Sequence, residues 1–485
     1  MSLPADSDVS SRSAASASVP VGDVIPLAAW RWELTTLPWL HRLLRWRPLQ
    51  FTLIATTLVF FILAILTSLL GTPVGNRNFG IIFVWIVWWA LLIVILIPAT
   101  GRLWCTMCPI PAPSEWLQRQ ALVAPHRRRP WTLGRRWPRR LQNIWIQNAA
   151  FLGVALFSPI ILTRPLATGL LLLAFVLLAV GLSLIYERRV FCRYFCPVGG
   201  FIGLYSMVSP LELRVKDPEV CRQHRTKDCY LGNEQGFGCP WLVFPGNLQR
   251  NTHCGLCTEC LKTCTLNNVA VNLRLPGLDL FVSKGRRLDE AYKAFIMVAC
   301  AFLYSVVLLG PWGALKDIAN LQDLGAWTIY ALGFIGINLA ITPGLFFGAS
   351  WLGRRLARLS AVPARQLAID LAYALVPFGL MAWIAFSLSF VLANFSYVWP
   401  VLSDPFGWGW NLLGTRDWPW TPYLPAMIPF LQAPVLLIGL AAAVVVAWRI
   451  AGEYAAGAKQ TALAVAPVTL LLFAFTLGFL RLYLG

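Results

Sequence analysis

Residues 80–109 read GIIFVWIVWWALLIVILIPATGRLWCTMCP, a continuous apolar run followed directly by a Cys-x2-Cys-Pro motif. An α-helix needs about 20 apolar residues to cross the hydrocarbon core of a bilayer, and this run is long enough. Its apolar residues are continuous rather than alternating, which favours a helix over a strand of a membrane barrel. The stretch therefore predicts a transmembrane helix that ends beside two cysteines.

Similar runs recur along the 485-residue chain, which is 58% hydrophobic and only 13% charged. That composition, together with repeated runs of spanning length, indicates a membrane protein. Nine spans are predicted, at residues 50–70, 80–100, 143–162, 166–186, 292–310, 324–345, 366–393, 425–448 and 461–483.

A polar stretch at 205–290 interrupts these runs and holds seven of the 12 cysteines. Within it, four cysteines form the pattern Cys-x2-Cys-x2-Cys-x3-Cys: Cys254, Cys257, Cys260 and Cys264. Bacterial ferredoxins bind a [4Fe–4S] cluster with this run, because the short spacing lets consecutive thiolates point into one small volume. Zinc sites usually show two separated pairs instead. The run therefore predicts an iron–sulfur cluster.

Together these features predict an all-α polytopic membrane protein with about nine transmembrane helices and an inserted cytoplasmic ferredoxin-like iron–sulfur segment. The predicted units are a tail and interfacial segment at 1–49, a four-helix membrane domain at 50–204, the cysteine segment at 205–290 and a five-helix membrane domain at 291–485. Residues 1–24 are rich in Ser and Ala and are expected to be disordered. Aromatic and basic residues at 28–48 are expected to lie on the membrane surface.

Basic residues fall on one side of the predicted topology. Residues 127–140 contain seven arginines and 354–365 contain four, whereas the loops on the other side carry few. The positive-inside rule then places the N-terminus and the cysteine segment in the cytoplasm and the C-terminus outside the cell membrane. Topology and contacts with the lipid bilayer explain the net charge of +19, so a nucleic-acid partner is not expected.

Two Cys-Pro pairs follow predicted spans. Cys105 and Cys108 come after the second span, and Cys192 and Cys196 come after the fourth. Each pair precedes a proline, which disfavours further helix. A coincidence at a helix end and a redox-active dithiol are both compatible with one pair, but the repetition at equivalent helix ends argues against coincidence. Cys300, inside the fifth span, is expected to be a small apolar core residue.

The Cys-Pro pairs at span ends, followed by a ferredoxin-type run, resemble the membrane polyferredoxins of the NapH/NosR type, a group that also includes the oxidase-assembly protein CcoG. The resemblance covers about residues 50–275 and is carried by eight cysteines: Cys105, Cys108, Cys192, Cys196, Cys254, Cys257, Cys260 and Cys264. It implies that these residues bind the cofactor. It also implies electron transfer at the membrane, commonly by quinol oxidation or by delivery of electrons to a partner reductase.

The chain departs from a two-cluster ferredoxin because it has one complete cysteine run instead of two. Cys264 is followed by Thr265 rather than by proline, and the other cysteines of the segment, Cys221, Cys229 and Cys239, have long irregular spacings. In two-cluster ferredoxins the fourth cysteine of each run binds the other cluster. The ligand sets must therefore be assigned by that crossed arrangement or by a single-cluster alternative.

The crossed arrangement gives two ligand sets: Cys239, Cys254, Cys257 and Cys260 at one cluster, and Cys221, Cys229 and Cys264 at the other. The second set lacks one protein ligand, which His224 or a Cys-Pro cysteine would supply unless the cluster contains three irons. The alternative is one cluster on residues 254–264, with the other three cysteines structural or bound to zinc. Two clusters are preferred here.

Other cofactors and ions are constrained by what the spans contain. All four histidines lie outside the predicted spans: His41, His126, His224 and His253. Haem b usually takes axial histidines inside the bilayer and is not expected in this chain. Ionisable residues within spans are scarce, with Asp370, Glu187 and Arg481 near span ends, so proton pumping and transport of charged substrates are disfavoured.

A quinone site is expected beside the Cys-Pro pairs if quinone docks near the clusters, close to Trp104, Trp116 and Tyr194. His253 either tunes a cluster or is a solvated loop residue. The preferred function is electron transfer between a cytoplasmic donor and membrane quinone or a partner redox subunit, as a possible quinone/quinol oxidoreductase component. The alternatives are an assembly or metal-reducing maturation factor and, less favoured, a transporter with a structural metal site.

Overall fold

The computed structural model describes residues 30–125, 130–309 and 313–485. The expectations for the tail at 1–24 and for Arg127, Arg128 and Arg129 therefore lie outside the described residues. Within the described ranges, eight helices are long and apolar enough to cross a membrane. The protein is an all-α polytopic membrane protein, as its composition predicts.

Three of the long helices form the N-terminal half: α1 (Arg47–Leu70), α2 (Phe79–Thr100) and α3 (Pro165–Ile185). α1 packs against both α2 and α3. α2 contains two stretches of wide π-type turns, Ile82–Trp88 and Leu91–Leu96. Such turns are rare and occur often at functional sites.

The third predicted span, 143–162, is not a single long helix. Two short helices replace it, Trp145–Leu156 and Ser158–Ile161, with a break at Phe157. Pro159 lies in the first turn of the second helix, and because proline has no N–H it cannot donate to the Ala155 carbonyl. The nine predicted spans are therefore eight long helices and this broken apolar segment.

Five long helices form the C-terminal half: α4 (Leu288–Leu309), α5 (Leu324–Leu356), α6 (Ala364–Ser403), α7 (Pro425–Gly452) and α8 (Ala458–Leu484). α6 packs against α7 and α4, and α8 packs against α5 and α7. The two halves are in contact, because Trp89 Nε1 of α2 donates to Ser387 Oγ of α6 at 3.2 Å. The Trp89 ring also packs on Trp383, with 5.5 Å between ring centroids.

Short helices connect these elements and shape the cysteine segment: Pro38–Arg45, Trp104–Met107, Ala112–Arg119, Pro197–Tyr205, Pro218–Gln223, Asp228–Leu231, Glu259–Thr263 and Gly313–Ala319.

A small antiparallel sheet supports the cysteine segment. Its strand order is β1 (Arg31–Glu33), β3 (Val269–Arg274) and β2 (Leu211–Val215). β1 comes from the segment expected on the membrane surface, which here supplies an edge strand. Leu213 of β2 lies opposite Val271 of β3, and both side chains are buried in a core that includes Cys229 and Cys260. The sheet therefore fixes where the cysteine loops lie.

Buried charges tie the sheet to the chain that follows it. Glu212 accepts from Arg274 at 2.8 Å, and Asp279 accepts from Arg214 at 2.9 Å and from Arg274 at 2.7 Å. Both carboxylates are almost fully buried, and charges are kept inside a protein only when they are paired. The network holds β2, β3 and the turn at Asp279 as one unit.

Candidate metal centres

None of the 12 cysteines, all of which lie in the described residues, forms a disulfide, and 11 of them lie outside the eight long helices. Cys300 is the exception. It is fully buried in α4, where its Sγ lies 3.2 Å from Asn338 Oδ1. The other 11 cysteines form three groups, which are described in turn.

The first group consists of four cysteines that line one small cavity of about 20 Å³: Cys239, Cys254, Cys257 and Cys260. These are the same four residues that the crossed arrangement assigns to one cluster. Leu256 and Thr258 have left-handed backbone conformations, with φ of 54° and 57°, so the chain turns sharply after Cys254 and again after Cys257. Alternating backbone conformations of this kind direct N–H groups into a concavity, a common feature of iron–sulfur sites.

The thiols of the first group interact with one another. Burial raises the pKa of Cys254 to about 11 and that of Cys257 to about 12, and the neighbouring Cys239 adds to both shifts. The backbone N–H groups of Leu256 and Glu259 act in the opposite direction, because they donate to these sulfurs. Four thiolates packed this closely repel one another and need a bound cation to neutralise them.

The second group is Cys221, Cys229 and Cys264, and Asn268 connects two of its members. The Asn268 backbone N–H donates to Cys264 Sγ at 3.3 Å, and its side-chain Nδ2 donates to Cys221 Sγ at 3.2 Å. Burial, followed by the neighbouring Cys264 and Cys221, raises the pKa of Cys229 to about 12. Sequence reasoning did not identify Asn268, although it lies four residues after Cys264.

His224, one of the alternatives for completing the second group, has other neighbours. Its Nε2 lies 3.0 Å from Thr226 Oγ1 and 4.0 Å from Asp228 Oδ2. In the part of the chain that the structure describes, no three His, Cys, Asp or Glu side chains are grouped so that they could hold a single metal ion.

The third group consists of the two Cys-Pro pairs, which meet around one apolar cavity of about 160 Å³: Cys105, Cys108, Cys192 and Cys196. Burial raises the pKa of Cys192 well above its ordinary value, and the other three thiols add to that shift. Burial also raises the pKa of Cys196 to about 11. Two pairs that are far apart in the sequence therefore form one set of four neighbouring thiols.

Arg189 lies between the third group and the first. Its Nη1 donates to the Cys105 carbonyl at 2.8 Å, and its guanidinium interacts electrostatically with the thiols of Cys192 and Cys257. Its Nε donates to Glu115 Oε2 at 3.0 Å. Burial alone would raise the pKa of Glu115, but the guanidinium groups of Arg119 and Arg189 lower it, so this carboxylate is charged.

Arg102 also lies between these two groups. It is 4% exposed, its Nη1 donates to the Thr252 carbonyl, and its guanidinium carbon lies 4.3 Å from the Trp241 ring centroid. Its charge lowers the pKa of both Cys196 and Cys254, whereas its Nε and Nη2 have no hydrogen-bond partner in the part of the chain that the structure describes. The sequence carried a signal for both arginines, because each stands three residues before the first cysteine of a Cys-Pro pair.

Of the three residues expected near a quinone, one lines the third-group cavity and the other two pack elsewhere. Trp104 lines the cavity of the third group. Trp116 instead packs on Phe51 and Tyr194 on Trp137, with 5.7 Å and 5.4 Å between ring centroids. The rest of the aromatic lining comes from residues that sequence reasoning did not identify: Trp85, Trp88, Trp89, Phe151, Phe175, Phe191, Tyr304, Trp383, Phe386 and Phe390.

Neither His253 nor Lys293 is exposed. The sequence left two alternatives for His253 and did not identify Lys293. His253 lines the cavity of the first group, and burial together with nearby arginines holds its pKa well below the ordinary value. Lys293 stands at the edge of the predicted fifth span, but it is fully buried, and no described residue forms a hydrogen bond with its Nζ. Its Nζ lies 4.2 Å from the ring centroid of Phe151, which lines the third-group cavity.

Two segments, residues 81–140 and 168–216, match the family model of a 4Fe-4S binding domain. The match supports an iron–sulfur binding protein. The matched segments contain both Cys-Pro pairs, whereas the run at 254–264 lies outside them. No curated protein and no solved structure matches this chain significantly.

Proposed function

We propose that this membrane iron–sulfur protein passes electrons between a cytoplasmic donor and membrane quinone or a partner redox subunit. One observation carries the proposal: the four cysteines that the crossed ferredoxin arrangement assigns to one cluster line one common cavity. A [4Fe–4S] cluster, when bound, supplies one-electron transfer over a wide range of potentials. The first group would hold one such cluster and the second group another.

Residues around the first group are suited to a buried anionic cofactor. Trp241 is 1% exposed, and within the described residues neither its Nε1 nor two of the Arg102 nitrogens have a hydrogen-bond partner. Buried donors without partners are costly, so they indicate acceptors that a bound cluster would provide with its sulfurs. Such donors also stabilise negative charge and set the potential.

The second group lies near surface that an acidic electron donor would complement. Arg222, Arg225 and Lys227 are exposed and flank Cys221 and Cys229 in sequence. Complementary charge increases the rate at which protein partners meet and orients them. Electrons would enter at the second group and reach the first, because the thiol of Cys229 interacts with both Cys239 and Cys260.

The third-group cavity has the lining expected for an apolar ring. Val84 and Leu92 both line it, and eight residues at the α-helical rise of about 1.5 Å per residue separate them by about 12 Å along α2. The cavity is therefore lined along more than two turns of α2 and by both cysteines and aromatic side chains. Binding sites for small molecules are typically apolar and concave, and a quinone would accept two electrons and two protons there.

The electron-transfer proposal is tested with the full chain purified anaerobically in detergent. We expect at least eight iron and eight acid-labile sulfide per chain, from two clusters of about four irons each. After reduction with dithionite, a short-chain quinone should reoxidise the protein. Trp88→Ala should slow reoxidation at least tenfold relative to Trp351→Ala, which replaces an exposed tryptophan of α5 outside the lining of the third-group cavity. Zinc without sulfide would contradict the iron–sulfur function. Equal rates in both variants would contradict the quinone site.

A further inference from the structure

We propose that the cavity between the ends of α4, α5 and α6 binds an anionic phospholipid. The volume of this cavity is about 400 Å³, and each of the three helices contributes two side chains to its lining: Leu288, Tyr292, Phe347, Trp351, Ala364 and Arg365. None of these residues lines the first-group cavity or the third-group cavity. The lipid site is therefore separate from the proposed electron path and does not rest on it.

The cavity lies at one end of the membrane helices. Leu288 and Ala364 are the first residues of α4 and α6, and Trp351 lies in the last turns of α5. The ends of transmembrane helices lie close to the lipid headgroups, where Trp and Tyr side chains are enriched. Tyr292 packs on Trp145, with 5.3 Å between ring centroids, and Trp351 is 49% exposed. These aromatic residues place the cavity at headgroup depth.

Arg365 brings a positive charge to the cavity that the described part of the chain does not neutralise. Its side chain is exposed, and no described carboxylate pairs with it. The next carboxylate along α6, Asp370, accepts instead from Gln366 at 3.1 Å and from Tyr454. Basic pockets between transmembrane helices bind the headgroups of anionic lipids.

The acidic residue of α4 beside the cavity is already paired. Asp289 follows Leu288 in the chain, but it is 4% exposed, and Arg287 Nε donates to its Oδ1 at 2.9 Å. Among the described residues, no carboxylate lines the cavity. The amine of a zwitterionic headgroup would therefore find no acidic partner there, whereas an anionic headgroup would meet Arg365.

A second arginine packs on the tryptophan of the cavity. The Arg355 guanidinium carbon lies 5.3 Å from the Trp351 ring centroid, and this cation–π contact holds the charge beside the cavity. The neighbouring Arg354 differs, because its Nε donates to the Val362 carbonyl at 2.6 Å and so closes the connection between α5 and α6. Arg355 and Arg365 keep their N–H donors for a ligand, and a guanidinium group matches the oxygens of a phosphate.

The apolar part of the cavity suits acyl chains rather than a free phosphate ion. Leu288, Phe347 and Ala364 contribute apolar surface, which a free phosphate would leave in contact with water. Gly344 lies on the same side of α5 as Phe347, one turn earlier. A Cβ added at Gly344 would meet nothing within 4 Å outside its own stretch of helix backbone. An acyl chain therefore has open space along α5 beyond the headgroup.

A lipid in this cavity would connect α4 to the hairpin of α5 and α6. α4 begins directly after the cysteine segment, and its first turns contribute Leu288 and Tyr292 to the cavity. A ligand that binds only the folded protein stabilises it in proportion to its concentration and affinity. Binding should therefore raise the unfolding temperature of the protein.

The lipid site is tested with the full chain, purified anaerobically and freed of lipid in a neutral detergent. Dioleoylphosphatidylglycerol should raise the unfolding temperature and remain bound in native mass spectrometry, whereas dioleoylphosphatidylcholine should do neither. Arg365→Gln should weaken binding of phosphatidylglycerol by about tenfold, the scale of a lost hydrogen bond between charged groups. Arg358→Gln is the matched control, because Arg358 is exposed in the same connection but lies outside the cavity lining.

Wild-type protein provides a second test that needs no variant. Unlabelled phosphatidylglycerol should displace spin-labelled phosphatidylglycerol, whereas inorganic phosphate at the same concentration should not. Equal weakening in Arg365→Gln and Arg358→Gln would overturn the lipid site, and so would equal binding of the two lipids. Displacement by inorganic phosphate would overturn it as well, because the site would then bind free anions. Iron and sulfide content should be the same in both variants, so the electron-transfer function is tested separately.

Discussion

The first and third cysteine groups differ in how the chain brings their thiols together. Three of the four first-group cysteines lie within seven consecutive residues, so one loop with two left-handed turns is enough to gather them. The third group joins two helix ends that are far apart in the sequence and meet only through the packing of the membrane helices. The first group should therefore depend on local loop geometry, and the third on buried contacts between helices.

The largest expected effect separates the ligand sets within the cysteine segment. Cys239→Ser should remove the same cluster signal as Cys257→Ser, because both thiols line the first-group cavity. Cys264→Ser should remove a different signal, since Cys264 shares Asn268 with Cys221. Each variant should lose about four irons, measured by iron analysis and electron paramagnetic resonance.

The crossed ligand sets fail if Cys264→Ser and Cys257→Ser remove the same signal while Cys239→Ser removes none. That pattern would indicate one cluster on the run at 254–264. Cys300→Ala is the matched control for loss of a buried thiol.

The next largest effect concerns the ion pair that supports the third group. Glu115→Gln leaves the buried Arg189 and Arg119 without their carboxylate, and breaking a buried pair from one side costs about 3–5 kcal/mol. We expect the free energy of unfolding in detergent to fall by that amount.

Arg136→Gln is the control for Glu115→Gln, because it removes an exposed pair with Glu187 at 3.9 Å. Exposed pairs contribute about 0–1 kcal/mol, so stability and iron content should hardly change. An equal effect in both variants would show that the third group does not depend on the buried contact.

A smaller effect should appear when a methyl group is added to the first-group loop. A Cβ on Gly255 would lie 2.2 Å from Trp241 Nε1, so Gly255→Ala must displace the indole. Overpacking of this kind costs about 1–3 kcal/mol. Gly153→Ala is the control, because a Cβ added at Gly153 would lie more than 4 Å from every described atom outside its own stretch of helix backbone. Denaturation of the anaerobic protein, followed by the loss of cluster absorbance, measures the difference.

The smallest effect is expected at the second group. Asn268→Ala removes the side-chain N–H that donates to Cys221 Sγ, and a hydrogen bond contributes about 1 kcal/mol. Loss of a donor to a ligand sulfur destabilises the reduced state, so the potential of the second cluster should fall while that of the first stays constant. If a redox titration shows no change in the potential of the second cluster, Asn268 does not act on that cluster.

Several features were predictable because they are local in sequence. Apolar runs of spanning length identify helices without any knowledge of their neighbours, and eight of the nine predicted spans correspond to long helices. The segment at 143–162 was wrongly predicted to be one continuous span. Hydropathy does not show that Pro159 has no backbone N–H with which to continue the helix. β1 was missed because three residues pair with β3 only after the chain has folded.

The sequence by itself determined the membrane class and the cysteine run at 254–264, because hydropathy and ligand spacing are properties of consecutive residues. Tertiary structure alone decided that the two Cys-Pro pairs meet, that Arg102 and Arg189 lie between cysteine groups, and that the buried Lys293 amine has no hydrogen-bond partner among the described residues. Those relations join residues from different helices. They arise from packing, which brings together side chains whose separation along the chain carries no signal.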